Sequence, residues 1–269
     1  GNNYATDAQA TLRVSNGALV NAPGGSIRAL NGTATSMSGF RRSIEAELDN
    51  RGVLSIGHPM NIARSSAAHI NSGTITLTGG NLEVTQAGTS ATFANVGTIN
   101  VAGGRTCTIS GGALANFASG TLTGGTYNLA GTFKFPNATI TTNAASIVLD
   151  GSASQIVNQS NVNALASFAT NSSGGSLTLQ NGRSLTTPGA FSNTGAVVVG
   201  SGSRFTAGGA GNYVQSAGAT ILDTGTLSVG GTLDLQAGLL SGVGTVSGDV
   251  ANAGRVAPGA SPGILTIDG

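Results

Sequence analysis

The chain has 269 residues, a formal net charge of +1, 44 glycines, and only 8% charged and 4% aromatic residues, against roughly 25% charged in ordinary domains. Its eleven basic residues are scattered, and Lys134 is the only lysine, so no basic patch is available to neutralise a nucleic acid. Every apolar run is broken within a few residues by Gly, Ser, Thr or Asn, which argues against a membrane-spanning helix, while regularly spaced Val, Ile and Leu argue against disorder.

In chain order, the first strong element is Arg41 to Arg51, which holds six of the 21 charges. Ile44, Ala46 and Leu48 alternate with Glu45, Glu47 and Asp49, a period of two that predicts a strand with a solvated outer face. A repeat then begins. Asn50-Arg51-Gly52-Val53-Leu54-Ser55-Ile56 is followed by Asn71-Ser72-Gly73-Thr74-Ile75-Thr76-Leu77 and by Asn95-Val96-Gly97-Thr98-Ile99-Asn100-Val101. Gly52, Gly73 and Gly97 lie 21 and 24 positions apart, and a looser copy from Asn116 to Leu122 places Gly120 another 23 along. Each copy reads as a turn, with Gly supplying positive φ and Asn bonding its own backbone, feeding a short strand with one buried face.

Gly-Gly pairs punctuate the chain too, before Asn81-Leu82, before Thr126-Tyr127 and before Thr232-Leu233, so each repeat holds at least two short strands. Cys107 shares a strand face with Ile109 and reads as a buried structural thiol; alone, it allows no internal disulfide. The stretch from Ala144 to Ala169 repeats less cleanly and is read as an irregular coil or lateral excursion, without a domain boundary. The pattern resumes at Asn193-Thr194-Gly195 and, shortened, at Asn252-Ala253-Gly254.

A period of about 20–25 residues with short strands predicts an all-β parallel solenoid: one domain over 1–269, about 11–13 coils, and an aliphatic interior with little room for large side chains. Neither end looks capped. Gly1-Asn2-Asn3-Tyr4 resembles Gly211-Asn212-Tyr213, and the chain stops just after the strand-like Leu265-Thr266-Ile267. This predicts either a piece of a longer repetitive protein or a subunit that self-associates head to tail.

The last third, through Gly211-Asn212-Tyr213, Leu239 to Val246, Asn252-Ala253-Gly254 and Pro258-Gly259-Ala260-Ser261-Pro262-Gly263, resembles repeat modules of bacterial surface proteins. These include autotransporter passengers and filamentous-haemagglutinin-like adhesins. The resemblance implies a right-handed β-helix, export to the surface of a Gram-negative bacterium, and an adhesive or structural role toward a host-surface or polysaccharide ligand. No secretory leader opens the sequence, so export is inferred from architecture alone.

Motifs for other chemistry are weak, and no catalytic, cofactor or metal residues are assigned. Asp223-Thr224-Gly225 imitates an aspartic-protease triplet but occurs once, where that chemistry needs two carboxylates; it reads as a turn. His58 and His69 lack metal-ligand spacing and read as loop histidines. The main alternative function is a carbohydrate-binding or carbohydrate-cleaving β-helix. For it, Asp223 and Asp249, 26 positions apart, are the acids that one coil of stacking would bring together. Thr74-Ile75-Thr76 suggests a hydroxyl array suited to ice, but Thr141-Thr142 and Thr186-Thr187 break its regularity.

Overall fold

Alternation makes these segments strands. In Thr74–Leu77 the two aliphatic residues are buried and the two threonines half-buried, because successive side chains of an extended chain point to opposite faces. Arg42–Asn50 obeys the same rule, with Ile44, Ala46, Leu48 and Asn50 inside and the acids between them outside. The computed structural model describes residues 10–30, 41–259 and 263–269. Among them there is no helix, and parallel strands stack into a β-solenoid of about ten turns.

The register shows how the winding is built. One inner column runs Ile27, Leu54, Ile75, Ile99, Tyr127, Ile147, Leu177, Val197, Thr220, Leu240 and Val256, each paired with the next. A second wall stacks Met60, Leu82, Cys107, Phe133 and Ile156. It is continued by Leu185, Phe205, Leu227, Val246 and Ile267. A third stacks His69, Phe93 and Leu114 and, further along, Phe191, Tyr213, Leu233 and Val250. Each turn thus has three walls, one more than the minimum of two strands that the glycine pairs suggest. Long strands such as Ala219–Leu235 carry the bonding around corners, so the pattern is one continuous winding rather than a closed barrel.

The repeat is less uniform than its sequence signature. Thr98 pairs with Thr126 and Ser146 with Ser176, so those turns span 28 and 30 positions. These long turns bring the number of turns to about ten, in place of about 11–13. The amino-terminal copy at Gly1 to Tyr4 lies outside the described residues.

Asparagine and glycine of the repeat take roles different from those of a simple turn. Asn50, Asn71 and Asn95 are buried and form an internal amide ladder. Asn21 Nδ2 donates to Asn50 Oδ1 at 2.7 Å, Asn50 to Asn71 at 2.6 Å and Asn71 to Asn95 at 2.7 Å. Each amide also donates to a main-chain carbonyl of the next turn, as Asn71 does to Thr98 O at 3.2 Å. The glycines at 52, 73 and 97 are absent from the positive-φ positions. Close stacking requires them instead: a Cβ on Gly73 would lie 2.1 Å from Gly52 O, and one on Gly97 2.1 Å from Gly73 O.

The ladder changes form at Asn116, where Oδ1 accepts from Asn95 N at 2.7 Å and Nδ2 donates to Thr123 O at 2.8 Å. The chain then makes an antiparallel hairpin, Phe117 against Leu122. Gly120 sits in that hairpin at φ +78, and the glycine preceding the next first-wall strand is Gly125, so the looser copy is out of register. Side-chain pairing resumes at Asn143, Asn171 and Asn193, each link 2.9 Å, and reaches Gln215 at 3.4 Å.

The interior also holds rings. Among the described residues, eight aromatic side chains are fully buried, Tyr127 and Tyr213 the largest. Seven of them form two clusters: Tyr127, Phe133 and Phe135 with centroids 5.2–5.4 Å apart, and Phe168, Phe191, Phe205 and Tyr213 with centroids 4.7–5.8 Å apart. The three-walled cross-section is wide enough for large side chains, so the expectation of a purely aliphatic column is corrected. The irregular stretch divides in two. Thr142–Asp150 is a regular strand, and 158–169 is an excursion that tucks Ala164, Leu165 and Phe168 back into the core.

Candidate functional site

Cys107 and His69 are interior and structural. Cys107 is buried, and desolvation of its thiolate pushes its pKa up to about 12, which suppresses nucleophilic chemistry. His69 lies in the strand Ala68–Asn71 rather than in a loop. It packs inside the third wall, and its Nδ1 accepts a bond from Leu48 N at 3.0 Å. Burial lowers its pKa to about 4, against a smaller opposing pull from Glu47, so it is a neutral packing residue at pH 7. Gln215, longer than the asparagine it replaces, is accommodated by polar partners. Its Oε1 accepts from Thr220 Oγ1 at 2.6 Å, and Thr220 Oγ1 lies 2.7 Å from the Tyr213 hydroxyl.

The carboxylates do not gather where sequence spacing suggested. Asp223 pairs with Val243 and Asp249 with Thr232, so the two acids occupy different parts of the winding. Corners of unequal length make a spacing of 26 in sequence a poor guide to stacking. Asp223-Thr224-Gly225 is a corner, with Thr224 at φ 63. Among the described residues, no group of three or more His, Cys, Asp or Glu is placed to hold a metal ion.

Charge and amides concentrate on the outside of the second wall. Arg13 and Glu45 form an ion pair at 2.6 Å, and Arg41 pairs with Glu83. The Arg41–Arg51 segment therefore supplies partners to other turns as well as a solvated face. Beyond Glu83 the wall hollows into a polar groove of about 500 Å³. Its floor carries Thr108, Thr132 and Gln155, and its rim carries Arg41, Lys134 and Asn161. Lys134 Nζ donates to Asn161 Oδ1 at 2.8 Å, and Gln159 Nε2 donates to Ile109 O at 2.7 Å. The excursion thus forms one side of the groove. Nothing in its sequence marked Gln159 or Asn161 for this place, because a missing glycine reports an interruption but not where the inserted residues dock.

The outside of the first wall has a different chemistry. Thr76, Asn100 and Asn128 are linked in a row by bonds of 3.2 and 2.8 Å. The register continues that row through Val148, Thr178, Val198 and Ile221. The face passes from amide and hydroxyl to aliphatic, so it offers no uniform threonine lattice. Among the described residues, no helix is long and apolar enough to cross a membrane.

Comparison with protein-family models, with curated proteins and with solved structures finds no match for this chain.

Proposed function

We propose that this protein is a rigid structural or adhesive module, a stalk, sheath or filament element displayed outside a bacterial cell. The observation carrying this reading is the unbroken first-wall ladder from Ile27 to Val256, backed by the internal amide ladder. Hydrogen bonds along the axis and a dry packed core resist bending and local opening together. Surface display and kinship with autotransporter-type or haemagglutinin-like adhesins rest on the sequence resemblance described above. Head-to-tail association is part of the same proposal, because stacked strands at a solenoid end match those of a second copy.

The test is made in the producing cell and on purified material. Antibody labelling and protease shaving of intact cells should reach the chain, and negative-stain images should show narrow rods, joined end to end if the copies stack. A chain found wholly in the cytosolic fraction would overturn the display reading, and compact round particles the rod.

A second reading, polysaccharide recognition, is favoured by the polar groove beside Lys134 and Asn161. The groove lining includes one carboxylate, Glu83, which is engaged by Arg41. Paired acids are the usual requirement for glycoside hydrolysis, so the groove supports binding better than cleavage. Turnover of acidic or neutral polysaccharides by purified protein would reverse that preference.

A further inference from the structure

A second cleft lies elsewhere, where the corners at 88–91, 111–113 and 136–137 meet the Phe117 hairpin. Its volume is about 690 Å³, and no ionisable side chain lines it. Phe117 forms one wall. It is the single aromatic residue among the described residues that is not buried, and its ring rests edge-on against Phe135 at 5.2 Å. Ser90, Ser119 and Asn137 stand at the edges, exposed. All three hold left-handed backbone, φ 64, 48 and 55, a strained conformation for a non-glycine residue. Beneath the floor at Gly112, Gln86 is buried, donating to Thr92 O at 2.8 Å. Among the described residues its Oε1 has no hydrogen-bond partner, and it lies 2.5 Å from where a Gly112 side chain would begin.

We propose that this cleft binds a neutral saccharide ring, the ligand of the adhesive function on whose reading this inference rests. A pyranose presents a C–H face and a rim of hydroxyls that donate and accept. An aromatic wall, small-residue floor and uncharged serine and asparagine edges match both surfaces. A charged sugar finds no counter-ion here. The polar groove on the second wall carries Arg41, Glu83 and Lys134 and is a separate surface.

The test uses the whole chain and defined probes. Trisaccharides of glucose, galactose, mannose and N-acetylglucosamine are compared with glucuronate- and sialate-containing oligosaccharides by calorimetry and saturation-transfer NMR. At least one neutral probe should bind, and Phe117→Ala should weaken it by about tenfold, the loss expected of one stacking contact. Phe117 also packs on Phe135, so a second variant guards against misfolding. Ala113→Arg fills the cleft from an exposed position and should abolish binding with unchanged circular dichroism and thermal unfolding. No neutral binding at about 10 mM, a limit that still detects millimolar affinity, would overturn the site. So would binding confined to charged sugars, or binding that survives both substitutions. None of these outcomes bears on the rod or its display, which the imaging and shaving experiments judge separately.

Discussion

Asn71 shows what a single residue carries in this fold. It accepts from Asn50, donates to Asn95 and donates to the Thr98 carbonyl. Asn71→Ala strands buried amide groups on both sides, at about 1–3 kcal/mol for each unsatisfied group. Denaturant unfolding should show a loss of about 2–4 kcal/mol. Gly73→Ala should be comparably damaging, at about 2 kcal/mol or more, because its methyl group meets Gly52 O. Removing positive-φ freedom would not explain that loss. His69 adds a pH dependence. Its folded pKa of about 4 lies below the ordinary 6.5, so the unfolded chain takes up the proton first. Stability from the neutral ring is complete above about pH 6.5 and declines as pH falls toward 4, by up to about 3 kcal/mol. Chemical unfolding between pH 7 and pH 4 should show this slope, and His69→Leu should flatten it.

At the scale of elements, the irregular pieces are tied to the core. Phe168 brings the excursion back against Phe191 at 5.2 Å, and Phe168→Ala should cost about 3–5 kcal/mol in thermal or denaturant unfolding. The outer ion pairs are different. Arg41 and Glu83 are exposed on the wall, so Glu83→Gln should change stability by less than about 1 kcal/mol. The strand Arg42–Asn50 was readable from its alternation despite its charges, because burial acts on every second residue whatever lies between. Gly120 was misread for a related reason. It keeps the spacing of the repeat but belongs to a hairpin, and spacing alone does not say which wall a glycine serves.

For the whole molecule, about ten turns at roughly 4.8 Å per stacked strand make a rod near 50 Å long. Small-angle scattering of purified protein should give an elongated particle with a maximum dimension at or above that length; a globular profile would contradict the winding. Stacking of parallel turns also explains why the chain needs so little surface charge. Backbone polar groups bond along the axis to neighbouring turns, and hydroxyls and amides solvate the outer walls.

Recurring Asn-x-Gly and period-two aliphatics were enough to identify parallel stacked coils, since each turn must bury the same face on its neighbours. They also placed Cys107 and Ile109 inside, because alternation along one strand is a local property. Which way the asparagines point, where the aromatic rings collect and which outer residues meet depend on contacts between turns of unequal length. Asp223 and Asp249 parted for this reason, and Phe117 came to border a cleft through a hairpin that no spacing announces. Local geometry is written in neighbouring residues, whereas lateral register accumulates every insertion along the winding and is settled only when the turns pack.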